Sequence, residues 1–205
     1  DSYDIGKRLA IVLCGVLLVI LLAWVLTSRL LIKLQHREIH LTREISERKT
    51  IEERLNQIAT YDQLTNLPNR YLLHTEFKQK LEEAQRYDKK LAVLFIDLDH
   101  FKMVNDVYGH ETGDILLEQV ALRISKLVRG YDLLARFGGD EFVMIMPHLD
   151  DHSEAYTVVE KIIDSFNHEY NLGEVKVNVT TSIGISVYPD DGDTPSTLLK
   201  NADLA

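Results

Sequence analysis

The run LAIVLCGVLLVILLAWVL (9–26) holds eighteen consecutive residues without a charge or a strongly polar group. As a helix it covers ~27 Å at about 1.5 Å per residue, close to the ~30 Å hydrocarbon core of a bilayer. Such a run must be buried in lipid, buried in a protein core, or removed as a signal sequence. A core helix would be unusually uniform. The run is long for a signal peptide, and no small-x-small cleavage site follows it. The pattern predicts a transmembrane helix over residues 9–28, after a stub (1–8) too short to sense anything. Trp24 suits the interface. Lys7 and Arg8 precede the run, and Arg29, Lys33 and Arg37 follow it. The larger basic cluster places the C-terminal part in the cytoplasm.

Residues 29–60 are polar and lack Gly and Pro. Leu34, Leu41, Ile45, Ile51, Leu55 and Ile58 recur mostly every three or four positions, a helical stripe able to zip two chains together. Arg48 breaks the heptad, so a single solvated helix remains the alternative to a dimeric connector. Cys14 is the one cysteine, which rules out an internal disulfide framework or a cysteine-based zinc site.

From Asp62 the pattern changes. DQLTNLPNR (62–70) ends the long helix, with Pro68 expected in the first turn of the next one, to about Tyr87. LAVLFIDLD (91–99) reads as a buried strand, 101–108 and 112–129 as helices, 133–137 and 142–147 as a hairpin around Gly138 and Gly139. A helix over 152–169, one or two strands in VKVNVTTSIGISVYP (175–189), and a helix from 195 complete an α/β (α+β) sheet domain over 61–205. Residues 61–205 carry fourteen Lys/Arg against twenty-five Asp/Glu, a balance that argues against duplex nucleic acid as a partner.

Asp97 ends a strand, and Asp140 and Glu141 follow the hairpin turn. If those strands are neighbours, three carboxylates converge and raise one another's pKa. Such a group suits hard cations such as Mg²⁺ and hence phosphoryl or nucleotidyl transfer, with the glycines leaving room for phosphates. The alternative is that Asp97 merely caps a strand and 140–141 is a solvated turn.

Residues 62–205 resemble the GGDEF family of diguanylate cyclases, which make cyclic di-GMP from two GTP. The resemblance rests on RFGGDEF (136–142) and on three further motifs in order: DQLTNLPNR (62–70), DLDHFKMVNDVYGHETGD (97–114) and TSIGISVYP (181–189). It implies a GGDEF-type nucleotidyl-cyclase fold with a central, mostly antiparallel sheet flanked by helices. It assigns Mg²⁺ or Mn²⁺ to Asp97, Asp140 and the carbonyl of Leu98, and the proton of the attacking 3′-hydroxyl to Glu141. Lys102 would stabilise phosphate charge, Asn105 and Asp114 would read the guanine edge, and His110, Gly138 and Gly139 would contact substrate. Asp99 is expected to be structural.

Arg129 and Asp132 form an RxxD pattern that resembles the family's inhibitory site for cyclic di-GMP; a surface salt bridge is the plain alternative. The resemblance further implies a homodimer, a bacterial inner-membrane location, and a pattern running on past Ala205 through a Y-x-A-K-x-x-G-R segment. Without it, this chain is expected to be impaired. A domain that binds GTP or cyclic di-GMP without catalysis and regulates a neighbouring (for example EAL) domain is the rival reading, and a purely dimerising role is another.

Overall fold

Strand periodicity places the acids. In the computed structural model, which describes residues 2–173 and 175–205, β1 (Lys90–Leu98) pairs antiparallel with both β3 (Glu141–Leu149) and β6 (Thr181–Tyr188). β2 (Leu133–Gly138) pairs with β3, giving a four-stranded sheet of order β2-β3-β1-β6, antiparallel throughout. Side chains alternate between faces. Leu91, Val93 and Phe95 of β1, with Val143 and Ile145 of β3, pack under α2 (Arg70–Tyr87) and α6 (Pro195–Leu204). Ala92, Leu94, Ile96 and Leu98 face α3 (Phe101–Tyr108), α4 (His110–Ser125) and α5 (Ser153–Phe166) on the other side. Asp97 and Glu141 therefore continue the α2/α6 face beyond its apolar part.

Several local expectations need correction. Pro68 precedes α2 rather than opening it, because Asn69 is the cap: its Oδ1 accepts from the amides of Tyr71 and Leu72, both at 3.0 Å. The segment 175–189, by contrast, takes the two-strand form that its pattern allowed: β5 (Lys176–Val177) pairs with β4 (Tyr170–Asn171), and β6 joins the main sheet. The helix expected over 112–129 begins at His110, directly after Gly109 with φ +86°, and stops at Ser125.

α6 starts at Pro195, with Thr194 capping the amide of Thr197, and its Leu198 carbonyl accepts from the buried Ser186 hydroxyl at 2.8 Å. A Cβ on Gly184 would stand 1.8 Å from the Ala202 carbonyl oxygen, so glycine lets α6 lie against β6. Gly184→Ala is expected to cost about 1–3 kcal/mol through overpacking. Thermal unfolding checks this, with Gly130→Ala as the control, because an added methyl there meets nothing within 4 Å. Equal melting temperatures for the two variants would contradict it.

The chain divides into two units, residues 1–55 and 56–205. α1 (Ser2–Thr60) runs without interruption. Side chains at positions 2–11, 32, 35, 36, 38 and 39, and therefore most of the expected stub 1–8, lie outside the described residues. Within α1, Val12–Leu31 has a mean hydropathy of 2.3 and none of it is buried, so it is long and apolar enough to cross a membrane. At its polar end the hydroxyls of Thr27 and Ser28 donate back to the Trp24 carbonyl at 2.9 and 2.7 Å, which satisfies them without water. Leu34, Leu41, Ile45, Ile51 and Leu55 are exposed along the rest of the helix.

Candidate active site

In the β1–β3 register, Asp97 stands directly opposite Glu141. Directly opposed residues bring their Cβ atoms to about 4.5–5.5 Å, and like charges there are destabilising. Asp140 is in the turn that leads into β3. That turn is Gly139-Asp140, not the glycine pair: Gly138 is the last residue of β2, paired with Glu141 after a register shift at Phe137. Gly139 takes φ +54°, and a Cβ at Gly138 or Gly139 would meet nothing within 4 Å, so both glycines leave open space beside the acids.

The acids repel one another. Burial, then the charges of Asp140, Asp99 and Asp203, push the Asp97 carboxyl above its ordinary pKa. Burial, then Asp97, Asp140 and Asp203, do the same to Glu141, with Arg70 opposing. Asp99 behaves differently. Its carboxylate accepts from the hydroxyls of Thr180 at 2.6 Å and Ser182 at 2.7 Å, and these bonds lower its pKa. A carboxylate so engaged is structural. A cleft of about 490 Å³ beside Asp97 is lined by Phe95, Ser182, Ile183, Ala202 and Asp203.

Among the described residues no group of three or more His, Cys, Asp or Glu side chains is gathered to hold a metal. Asp97 and Glu141 oppose each other across two strands, whereas Asp140 belongs to the turn. A donor set of Asp97, Asp140 and the Leu98 carbonyl would be hard oxygen throughout, and a cation there would relieve the repulsion among the acids. That suits Mg²⁺, which takes one or two carboxylates and leaves its other positions to water and phosphate. The carbonyl of Asp97 itself is already engaged by the Thr181 hydroxyl at 2.7 Å.

The turn is clamped from outside. Nε and Nη2 of Arg136 both donate to the Gly139 carbonyl, at 3.0 and 2.8 Å. Nη1 reaches both oxygens of Asp62, at 3.0 and 3.2 Å, and the amide of Arg136 donates to the Pro68 carbonyl. Asp62 Oδ1 also accepts from the amide and hydroxyl of Thr65. Burial works against the Asp62 carboxylate, but Thr65 and Arg136 outweigh it and hold its pKa below the ordinary value. The loop just after α1 is thus tied to the residue before Asp140.

Lys102 is exposed on the first turn of α3. Asn105 lies further along α3, half-buried, with its Oδ1 buried and without a hydrogen-bond partner. Gly113 makes room for it, since a Cβ there would lie 1.9 Å from that oxygen. His110 begins α4 and Asp114 follows one turn later, both exposed.

At the RxxD turn, the salt bridge of the alternative reading is not made between the side chains of Arg129 and Asp132. Asp132 Oδ2 accepts instead from the Arg129 amide at 2.9 Å, and its Oδ1 is buried without a partner. Burial pushes the Asp132 carboxyl up. Nη1 of Arg129 donates to the Tyr131 hydroxyl and to Glu154 Oε2, both at 3.0 Å.

The family described as "Diguanylate cyclase, GGDEF domain" matches residues 59–205. The bifunctional diguanylate cyclase/cyclic di-GMP phosphodiesterase MucR of Pseudomonas aeruginosa is 46% identical over 151 residues, covering 74% of this chain and 22% of MucR. The solved GGDEF domain of TpbB from Pseudomonas aeruginosa shares 40% identity at a TM-score of 0.69, covering 70% of this chain and 84% of that one. The coiled coil and GGDEF domain of DgcB from Caulobacter crescentus, solved with c-di-GMP, share 29% identity at a TM-score of 0.73, covering 84% and 91%. The chain spans between about a fifth and a third of the curated relatives it matches, from 19% to 34% of their lengths.

Proposed function

This chain belongs to the diguanylate cyclase GGDEF-domain family, and from that premise we propose that it condenses two GTP into cyclic di-GMP and two pyrophosphates. The opposition of Asp97 and Glu141 beside the open space at Gly138 and Gly139 carries the reading. The 3′-hydroxyl of each GTP attacks the α-phosphorus of the other. A new P–O ester bond forms, the bond to the β-phosphate oxygen breaks, and pyrophosphate leaves. Glu141 takes the hydroxyl proton; its raised pKa makes it a stronger base than an ordinary carboxylate. Asp97, Asp140 and the Leu98 carbonyl would hold Mg²⁺ or Mn²⁺, with two ions in the full reaction, and these would supply positive charge against the phosphates. Lys102 adds positive charge toward the phosphates. Asn105 and Asp114 accept from guanine N–H groups, a pattern adenine does not offer. His110 contacts substrate.

Each domain holds one GTP, so the reaction takes two chains face to face. The exposed stripe of α1 supports a parallel homodimer, and its apolar segment a single-pass anchor in a bacterial inner membrane with the catalytic domain in the cytoplasm. The division we propose is a stub 1–8, a span 9–28, a connector 29–60 and a catalytic domain 61–205. Cyclic di-GMP returns as an inhibitor at Arg129 and Asp132. Calorimetry with cyclic di-GMP tests that site: Arg129→Ala is expected to abolish binding, and unchanged affinity would remove it from the scheme.

A further inference from the structure

We infer that Glu154 is a built-in competitor at the RxxD turn, whose carboxylate an anionic ligand must displace from Arg129 before binding. This rests on the reading of that turn as the cyclic di-GMP site. Glu154, at the start of α5, is bound from two sides. Its Oε2 accepts from Arg129 Nη1 at 3.0 Å, and its Oε1 accepts from the Asp150 amide at 3.1 Å. One of the nitrogens Arg129 would offer to a phosphate or a guanine edge, Nη1, is therefore shared between Glu154 and the Tyr131 hydroxyl. The rest of the turn is already set. Lys80 Nζ holds the Tyr131 carbonyl at 3.0 Å, and Asp132 holds the Arg129 amide. Asp132 Oδ1, buried and unpartnered, is an acceptor in want of a donor.

The ligand must therefore break one ion pair at Arg129. That pair is partly exposed, with side-chain exposures of 42% and 32%. Partly exposed pairs are worth little, so the competitor tunes affinity without closing the site. Displaced, Glu154 keeps its bond to the Asp150 amide, and the exchange needs no unfolding of α5.

Glu154→Gln tests this directly. The amide oxygen still accepts from Asp150, while the charge facing Arg129 is gone. Titration of the full chain in detergent micelles with cyclic di-GMP should show about two- to fivefold tighter binding than wild type, the scale of one exposed ion pair. The ratio should shrink toward one as salt rises, because the competing pair is screened. Equal or weaker binding by Glu154→Gln, with Arg129→Ala still abolishing binding, would overturn the competitor and leave the site standing. No binding by wild type or Glu154→Gln would overturn both.

Discussion

Glu141→Gln is expected to lower GTP turnover by about 10²–10⁴-fold, the range for loss of a positioned general base. The same substitution should leave thermal stability unchanged or raise it. Glu141 faces Asp97 across β1 and β3, and its carboxyl is pushed up by burial and then by the charges of Asp97, Asp140 and Asp203. Removing one charge from an opposed like pair relieves repulsion. Activity and stability therefore move independently, which a variant failing through misfolding would not show. Pyrophosphate release measured beside a melting curve separates the two. Abundant product from Glu141→Gln would remove Glu141 from the proton-transfer role.

Arg136→Ala should be costly in both respects. The Asp62–Arg136 pair is largely buried, with side-chain exposures of 24% and 14%. Breaking a buried pair by removing one partner costs about 3–5 kcal/mol; the residual exposure here puts the expectation near ~3 kcal/mol, or roughly 6–12 °C of melting temperature for a domain of this size. The Gly139 carbonyl also loses both of its guanidinium donors, so the turn carrying Asp140 loosens. Misplacement by about 1 Å can cost up to ~10²-fold in rate. A variant with lowered melting temperature but wild-type turnover per folded chain would show that the clamp does not position the acids. The pair also has a pH signature. Asp62's folded pKa lies below its ordinary value of 3.8, so its stabilisation is present above that pH and is lost as pH falls through the lower folded value. Arg136→Ala should weaken this acid-side loss of stability.

What could be read from the sequence was local. The alternation of LAVLFID placed Asp97 at a strand end, and the chain from Arg136 to Pro147 announced a hairpin. The order of four motifs gave the family. Cross-chain geometry was hidden. Nothing in the spacing of Asp62 and Arg136 shows that they meet across seventy-four positions. Asp203 acts on Asp97 and Glu141 only because α6 packs over β1 and β6. Gly113 is required by the side chain of Asn105, and Glu154 by its meeting with Arg129. The turn itself moved by one residue because the register shift at Phe137 keeps Gly138 in its strand.

The most direct test of the central claim is to incubate the protein with GTP and Mg²⁺ and quantify both products by chromatography. The account predicts cyclic di-GMP with two pyrophosphates per cyclic dinucleotide, and neither product from Asp97→Asn. Tight GTP binding without turnover, or pyrophosphate released without cyclic di-GMP, would contradict it.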